Sequence, residues 1–303
     1  MNQPSPSRLS AEARYIGPHD PQADVDVTVV FRHASAPQPD AWPRAAMSRD
    51  EFQQKHGADP AAVERLRDFG RKHGMRETGC QMARRTLHWR GTAQGMRDAF
   101  GVELGQYEMS DGKRFVGCTK APQLPDPSVI AILGLDRRPV ARPHFRRPLA
   151  QPSSTYTPLQ LGELYRFPAN TDGSGQTIAI VELGGGYAQA DLDAYFGGLG
   201  IAVPSISSVS VDGGTNQTGT DADGEVMLDI EVSGALAPAA KLVVYFATNT
   251  DQGFYDAISQ AAHEKIRALH ALMHLTPAEI GRPAVEQPLV AVRMPAEIGR
   301  AHV

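Results

Sequence analysis

The apolar positions of this 303-residue chain change period along its length, and the changes predict its elements. Residues 25–32, VDVTVVFR, are β-branched and predict a strand. Residues 48–57 open on Ser48 with Glu51 three positions on, the capping-box spacing of a helix start. Residues 60–73 begin at Pro60, place Val63, Leu66 and Phe69 at helical intervals, and stop before Gly74. A strand over 84–90, a helix over 92–100 with Met96, Ala99 and Phe100 on one face, and a strand over 102–108 follow. Together these are assigned the β-α-β-β-α-β order of a ferredoxin-like α+β unit with an extra helical turn at the front, although only three of its four strands have ranges here. Residues 126–135, with Val129, Ile130, Ile132 and Leu133, predict a further short helix.

The period then changes. Residues 137–155, RRPVARPHFRRPLAQPSST, lack apolar periodicity, and their prolines favour extended backbone, so they read as a linker that either only spaces two domains or carries a processing site. Beyond it, QTIAIVEL over 176–183 is a continuous apolar strand of the kind buried in a parallel sheet. A helix over 157–166 precedes it. Helices over 189–199, 225–236 and 251–263 alternate with strands over 206–211 and 241–246, which indicates α/β architecture around a parallel sheet. Only two or three such units are present, fewer than a complete domain of this class, so an unpaired sheet edge and exposed apolar faces are expected.

Composition adds a polarity. Residues 1–150 hold 23 basic against 17 acidic residues, whereas residues 151–264 hold 2 against 14. Complementary fields of this kind predict that the halves dock. The basic excess is modest and interrupted by acids, which argues against nucleic acid as a partner. No apolar run reaches the length of a membrane span, so no membrane partner is expected. Residues 1–20 are polar, read as disordered, and lack the apolar core of a secretory leader. Cys80 and Cys118 read as two reduced core thiols rather than a disulfide, and they cannot build a metal cluster.

Candidate chemistry concentrates in Asp221–Pro238, DADGEVMLDIEVSGALAP. Glu225 and Asp229 are four residues apart, so on a helix they share a face one turn apart. Val226, Leu228, Ile230 and Val232 also alternate with period two, as in a strand, but the Gly234–Pro238 terminators favour the helix. Neighbouring carboxyls repel when both ionise, so one can hold a proton above the ordinary range. The bland alternative is a solvated acidic face. Gly184–Gly186 follow the 176–183 strand, but consecutive glycines do not make a G-x-G-x-x-G fingerprint, and Glu182 beside them would repel a phosphate. A tight turn is the reading kept. The ten histidines are scattered, and neither an H-E-x-x-H nor a G-x-S-x-G motif occurs.

YTPLQLGELYRFP, GSGQTIAIVELGGGY, DADGEVMLDIEVSGALAP and AKLVVYFATNTDQGFYDAI resemble the start of the mature domain of serine-carboxyl peptidases, the sedolisin family, most of all its kumamolisin-like members. VDVTVVFR, MSRDEFQQKHGA, AFGVEL and GLDRRPVARPHFR resemble their pro-domain. The resemblance covers roughly residues 20–264. It implies a ferredoxin-like pro-domain over 21–136, the linker over 137–155, and over 156–264 the N-terminal part of a subtilisin-like parallel-sheet domain. It implies an extracellular endopeptidase acting on peptides in acid through a Ser-Glu-Asp triad, held inactive by its own pro-domain. Glu225 would be the general base, Asp229 the acid that orients it, and Glu182 an outer member of the same proton network. A histidine would be protonated in acid, whereas a carboxylate can still accept the serine proton.

The chain departs from that pattern downstream. The family's serine lies in a G-T-S-A segment, and that serine, the oxyanion Asp and the calcium ligands are not found in these 303 residues. After Glu264 the next strand of such a sheet is replaced by KIRALHALMHLTPAEIGRPAVEQPLVAVRMPAEIGRAHV, in which PAEIGR occurs twice. Residues 265–303 are therefore expected to be an aberrant or contaminating tail on a truncated, inactive zymogen. Resequencing the locus tests this. The alternative is an interaction protein whose pro-domain inhibits a complete relative, or helps it fold, in trans.

Overall fold

The computed structural model describes residues 13–33, 48–141 and 156–264, together with the backbone of 268–270. Two compact units meet in sequence between Pro139 and Val140, inside the expected linker, and each is described by itself. The processing site expected in the linker falls largely in 142–155, outside the described residues.

The first unit is built on a four-stranded antiparallel sheet. Its strands are β2 (Asp24–Phe31), β3 (Arg76–Gln81), β4 (Thr86–Thr92) and β7 (Val129–Leu133), in the order β3-β4-β2-β7. Helices α1 (Arg49–His56) and α2 (Pro60–Lys72) connect β2 to β3, and α3 (Ala93–Phe100) follows β4. This is the ferredoxin-like arrangement, reached with different strands from those expected. β3 was not anticipated, because RETGCQ carries no apolar alternation. Residues 126–135, expected to be helical, instead contain β7, whose β-branched residues pair with β2 at Thr28↔Leu133 and Val29↔Ile132. The strand expected over 102–108 is β5 (Leu104–Met109), but it belongs to a separate sheet, β1-β5-β6. β1 (Ala13–Pro18) lies within residues expected to be disordered, and β6 (Arg114–Cys118) closes that sheet.

Local chemistry explains the helix ends. Ser48 and Glu51 form the capping box, with Glu51 N–H donating to Ser48 Oγ at 3.2 Å and Ser48 N–H donating to the Glu51 carboxylate at 3.3 Å. Asp59 caps α2 ahead of Pro60, and Thr92 caps α3, which ends on left-handed Gly101. Alternate residues of β2 (Val25, Val27, Val29, Phe31) face Val63 and Leu66 of α2 and Met96 and Phe100 of α3, around Trp89. Cys118 lies in this core and Cys80 at its margin, and neither forms a disulfide.

The second unit is a parallel sheet in the order β11-β8-β10-β9. Its strands are β8 (Thr177–Glu182), β9 (Ser205–Ser210), β10 (Lys241–Phe246) and β11 (Ala268–His270). Helices α4 (Pro158–Leu164), α5 (Gln189–Gly198) and α6 (Asp223–Leu236), and α7 (Asp251–His263) from Gly253 onward, complete it. Ile180, Leu242, Val244 and Phe246 pack against α5 and α6 on one face, while Ala179, Val181 and Tyr245 pack with Ala257 and Ala261 of α7 on the other. Burial on both faces is why β8 and β10 read as continuous apolar runs. β11 pairs in parallel with β8, at Ala268↔Ile178 through His270↔Ile180, so three residues of the expected tail take a strand position in this sheet. The rest of that expected tail, 265–267 and 271–303, lies outside the described residues. Exposed apolar side chains gather on and beside α4: Tyr156, Leu159, Leu161, Leu164, Tyr165 and Phe167. No helix of the described residues is long and apolar enough to cross a membrane.

Candidate active site

The site grows from the C-terminal ends of β8 and β10, where parallel α/β sheets open a crevice. Glu182 is the last residue of β8, in register with Phe246, and its main-chain oxygen accepts from Ala247 N–H at 2.8 Å. Its side chain is buried, and Oε1 has no hydrogen-bond partner. The chain then turns through Gly184–Gly186. Gly185 has φ +75°, and a Cβ there would stand 2.9 Å from both the Ala222 carbonyl carbon and Val226 Cγ2. The turn needs glycine both for its backbone and for the approach of α6.

Asp223 fixes α6 against that turn. One carboxylate oxygen accepts from Gly186 N–H at 3.1 Å and from the Thr220 hydroxyl at 2.9 Å. The other accepts from Gly219 N–H at 2.6 Å and from Thr220 N–H at 3.3 Å. Burial opposes ionisation of Asp223, but these donors outweigh it and hold the carboxyl below its ordinary range. An aspartate therefore occupies the position where a nucleotide-binding turn would receive a phosphate, in keeping with the tight-turn reading of the glycines.

α6 is a helix, as preferred from the sequence. Val226, Ile230 and Gly234 form its buried stripe at helical spacing, whereas Leu228, which a strand would bury with them, is 45% exposed. Asp229 lies within that stripe and is only 2% exposed. Neither of its carboxylate oxygens has a hydrogen-bond partner. Glu225, one turn earlier, is half-buried. Burial first, then the charge of Glu225, push the Asp229 carboxyl up to about 7. Burial first, then Asp229 and Glu225, push Glu182 up to about 9. Glu182, Asp229 and Glu225, the three acids singled out from the sequence, thus act on one another electrostatically, and the charges that raise the first two are those of carboxyls.

Below neutral pH, protonated Asp229 and Glu182 can donate as well as accept hydrogen bonds. Such a group of acids can pass or hold a proton where an imidazole would already be charged. Asp223 was not singled out from the sequence, although an Asp in a helix's first turn after a Gly/Thr-rich loop is a recognisable cap-like signal. Among the described residues no group of three or more His, Cys, Asp or Glu side chains is placed to hold a metal. No step below runs through the calcium that the resemblance implies.

Residues 16–138 match the family model described as Pro-kumamolisin, activation domain. The chain is 41% identical over 283 residues to kumamolisin of Bacillus sp. (strain MN-32), covering 85% of this chain and 51% of that protein. It is 25% identical over 243 residues to tripeptidyl-peptidase sed5 of Aspergillus fumigatus, covering 70% of this chain and 42% of that protein. The chain spans about half the length of the first relative and less of the second.

Proposed function

The chain belongs to the sedolisin family as a kumamolisin-like pro-enzyme, and on that premise we propose that its second unit carries the acid half of a peptide-hydrolysing site. Glu225, the most accessible of the three acids, takes the proton from an attacking serine hydroxyl. As the hydroxyl oxygen bonds to the scissile carbonyl carbon, Glu225 holds that proton and then passes it to the departing amine, leaving an acyl-enzyme for water to hydrolyse. Protonated Asp229 donates to the Glu225 carboxylate and orients it, and protonated Glu182 supports Asp229 in turn. The observation that carries this reading is the buried, unpartnered Asp229 carboxyl one turn from Glu225, with buried Glu182 behind it.

The serine belongs to a G-T-S-A segment that these 303 residues do not contain. We therefore propose that the chain as given does not cleave peptides, and that an acidic extracellular setting and peptide substrates belong to the complete enzyme, with the first unit as its intramolecular inhibitor. The test is a chimera in which residues 1–264 are joined in frame to the downstream part of the Bacillus kumamolisin. It should cleave peptides in acid, and Glu225→Gln should reduce the rate by about 100-fold or more, the contribution expected of a general base. A Glu225→Gln chimera as fast as its parent overturns the assignment.

The first unit's own core and four-stranded sheet favour a second reading, inhibition or folding assistance in trans. The full chain added to an active kumamolisin-like peptidase tests it. Absence of both inhibition and improved refolding at any ratio removes it.

A further inference from the structure

Helix α1 is weakly anchored in the first unit. It fully buries none of its own side chains. Only Phe52 and His56, one turn apart with ring centroids 5.3 Å from each other, are half-buried. Its C-terminal end is where it is tied down. Ala58 N–H donates to the Met82 carbonyl oxygen at 2.9 Å. A Cβ on Gly57 would lie 3.0 Å from that same oxygen and 2.4 Å from the Gln53 oxygen, so the chain passes the β3–β4 turn with no room for a side chain. The same turn grips the end of β2. Phe31 N–H donates to the Arg85 carbonyl oxygen at 2.9 Å, and Arg85 Nε donates to the Phe31 carbonyl oxygen at 3.3 Å.

His33, just beyond β2, sits where these pieces meet. Among the described residues, the charged or titratable groups that act on it are Arg85 from the β3–β4 turn and His56 from α1. Both ring nitrogens of His33, and Nδ1 of His56, are buried without a hydrogen-bond partner. Arg85 is itself buried. Three side chains that carry or can carry positive charge thus converge on one joint. Burial first, then the charges of Arg85 and His56, push the His33 imidazole down to about 4 from 6.5. The His56 main chain pulls the other way but reaches neither ring nitrogen at hydrogen-bond geometry. The neutral ring is accommodated, whereas the charged ring is repelled from two sides and cut off from water.

We propose that this joint is an acid-operated release built into the first unit: neutral His33 lets α1 close on the β3–β4 turn, and protonated His33 drives it off. A folded imidazole that resists protonation contributes stability that is whole above about pH 6.5 and is lost as pH falls towards 4. Glu77, hydrogen-bonded to Arg67, and Asp126, hydrogen-bonded to Arg65, are held below the ordinary carboxyl range. They keep their charge over most of that window and do not supply the change. Glu182 and Asp229 respond in the opposite sense, because their raised carboxyls favour the folded second unit in acid. Acid therefore loosens the first unit while these two groups hold the second together. Reading the release as a step in freeing a peptidase rests on the function proposed above, but the release itself does not.

The test is amide exchange on the full isotope-labelled chain between pH 6.5 and 4.5, corrected for intrinsic rates. It is read at Phe31 and Ala58, whose N–H groups bond across the joint. Wild-type protection should fall by about tenfold per pH unit, as one proton is taken up on opening. His33→Gln, neutral throughout, should stay within about threefold over the same range. Flat wild-type protection, or equal slopes in the two proteins, overturns the release. Where the glutamine variant does not fold, NMR titration of the wild-type His33 ring decides. A midpoint more than about one unit below the ordinary 6.5 supports the release, and any higher midpoint overturns it. The peptidase reading is reported separately by Glu182 and Asp229. An ordinary titration of those two carboxyls removes that reading and leaves the release standing, whereas an ordinary titration of His33 removes the release alone.

Discussion

Glu182→Gln should make the second unit more stable at neutral pH, the reverse of what loss of a paired carboxylate does. The folded carboxyl is raised to about 9 from an ordinary 4.5, so the folded state keeps a proton that the unfolded chain releases. Stability is therefore full below about pH 4.5 and falls as pH rises towards 9, by about 1.4 kcal/mol per unit. Between pH 5 and 7 that is about 3 kcal/mol from Glu182 alone. Asp229, raised to about 7 from 3.8, adds a similar slope that ends near pH 7. Glutamine is neutral throughout and removes the Glu182 slope. An unpaired buried amide costs about 1–3 kcal/mol, but that offset does not vary with pH, so the slope is the diagnostic quantity. With two units a single unfolding midpoint is ill-defined, so the assay is hydrogen exchange at Ile180, Val181, Val244 and Tyr245, corrected for the pH dependence of intrinsic exchange. Wild-type protection should fall by about 100-fold per pH unit between 5 and 7 and about tenfold per unit above 7, where both carboxyls and then Glu182 alone release protons on opening. Glu182→Gln should fall about tenfold per unit below 7 and level off above it. Parallel profiles for the two proteins would refute the reasoning.

Other outcomes follow from the same contacts. Gly234→Ala in α6 should destabilise the second unit despite alanine's helix preference of about 1 kcal/mol, because its Cβ would lie 2.7 Å from Phe196 Cζ and 2.8 Å from Pro204 Cγ. Chemical denaturation should show Phe196→Leu partly restoring it, and a stabilising Gly234→Ala would contradict the packing. Asp223→Ala should cost about 2 kcal/mol through the donors it leaves unsatisfied, seen as faster exchange at Gly186 and Gly219. Because the Asp223 carboxyl is held low, its contribution is present above the ordinary aspartate pKa and is lost as pH falls through the lower folded value. Unchanged exchange in Asp223→Ala would remove its latching role. Trp89→Ala, in the core of the first unit, should cost about 3–5 kcal/mol, measured by denaturation followed through circular dichroism, and a loss under 1 kcal/mol would mean the core does not close on it.

The second unit was largely legible because its strands are buried on both faces and its helices are flanked by glycine-rich turns. Every predicted helix and strand from α4 to α7 lies close to its place, and the acids at 182, 225 and 229 could be named from spacing and resemblance. The first unit was less legible where tertiary pairing overrides local pattern. Val129–Leu133 is a five-residue apolar run whose helical or extended state depends on β2 beside it, and RETGCQ becomes a strand because β4 supplies its hydrogen bonds. β1, in a segment read as disordered, is ordered by β5, ninety residues away. Asp223 and Asn249 went unmarked for a related reason. The Val140 N–H bound by Asn249 and the Gly186 N–H bound by Asp223 lie 109 and 37 residues away and leave no trace in spacing, whereas the Gly219 and Thr220 donors to Asp223 are the local, cap-like signal.

The central claim is that three carboxyls share protons in a site built without an imidazole. Carbon-detected NMR titration of the Glu182, Asp229 and Glu225 side-chain carboxyls, in the wild-type chain and in Glu225→Gln, measures this directly. The account predicts that Glu182 and Asp229 release their protons well above the ordinary carboxyl range and that Glu225→Gln lowers both. Ordinary titration of Glu182 and Asp229 near pH 4, indifferent to Glu225→Gln, would contradict it.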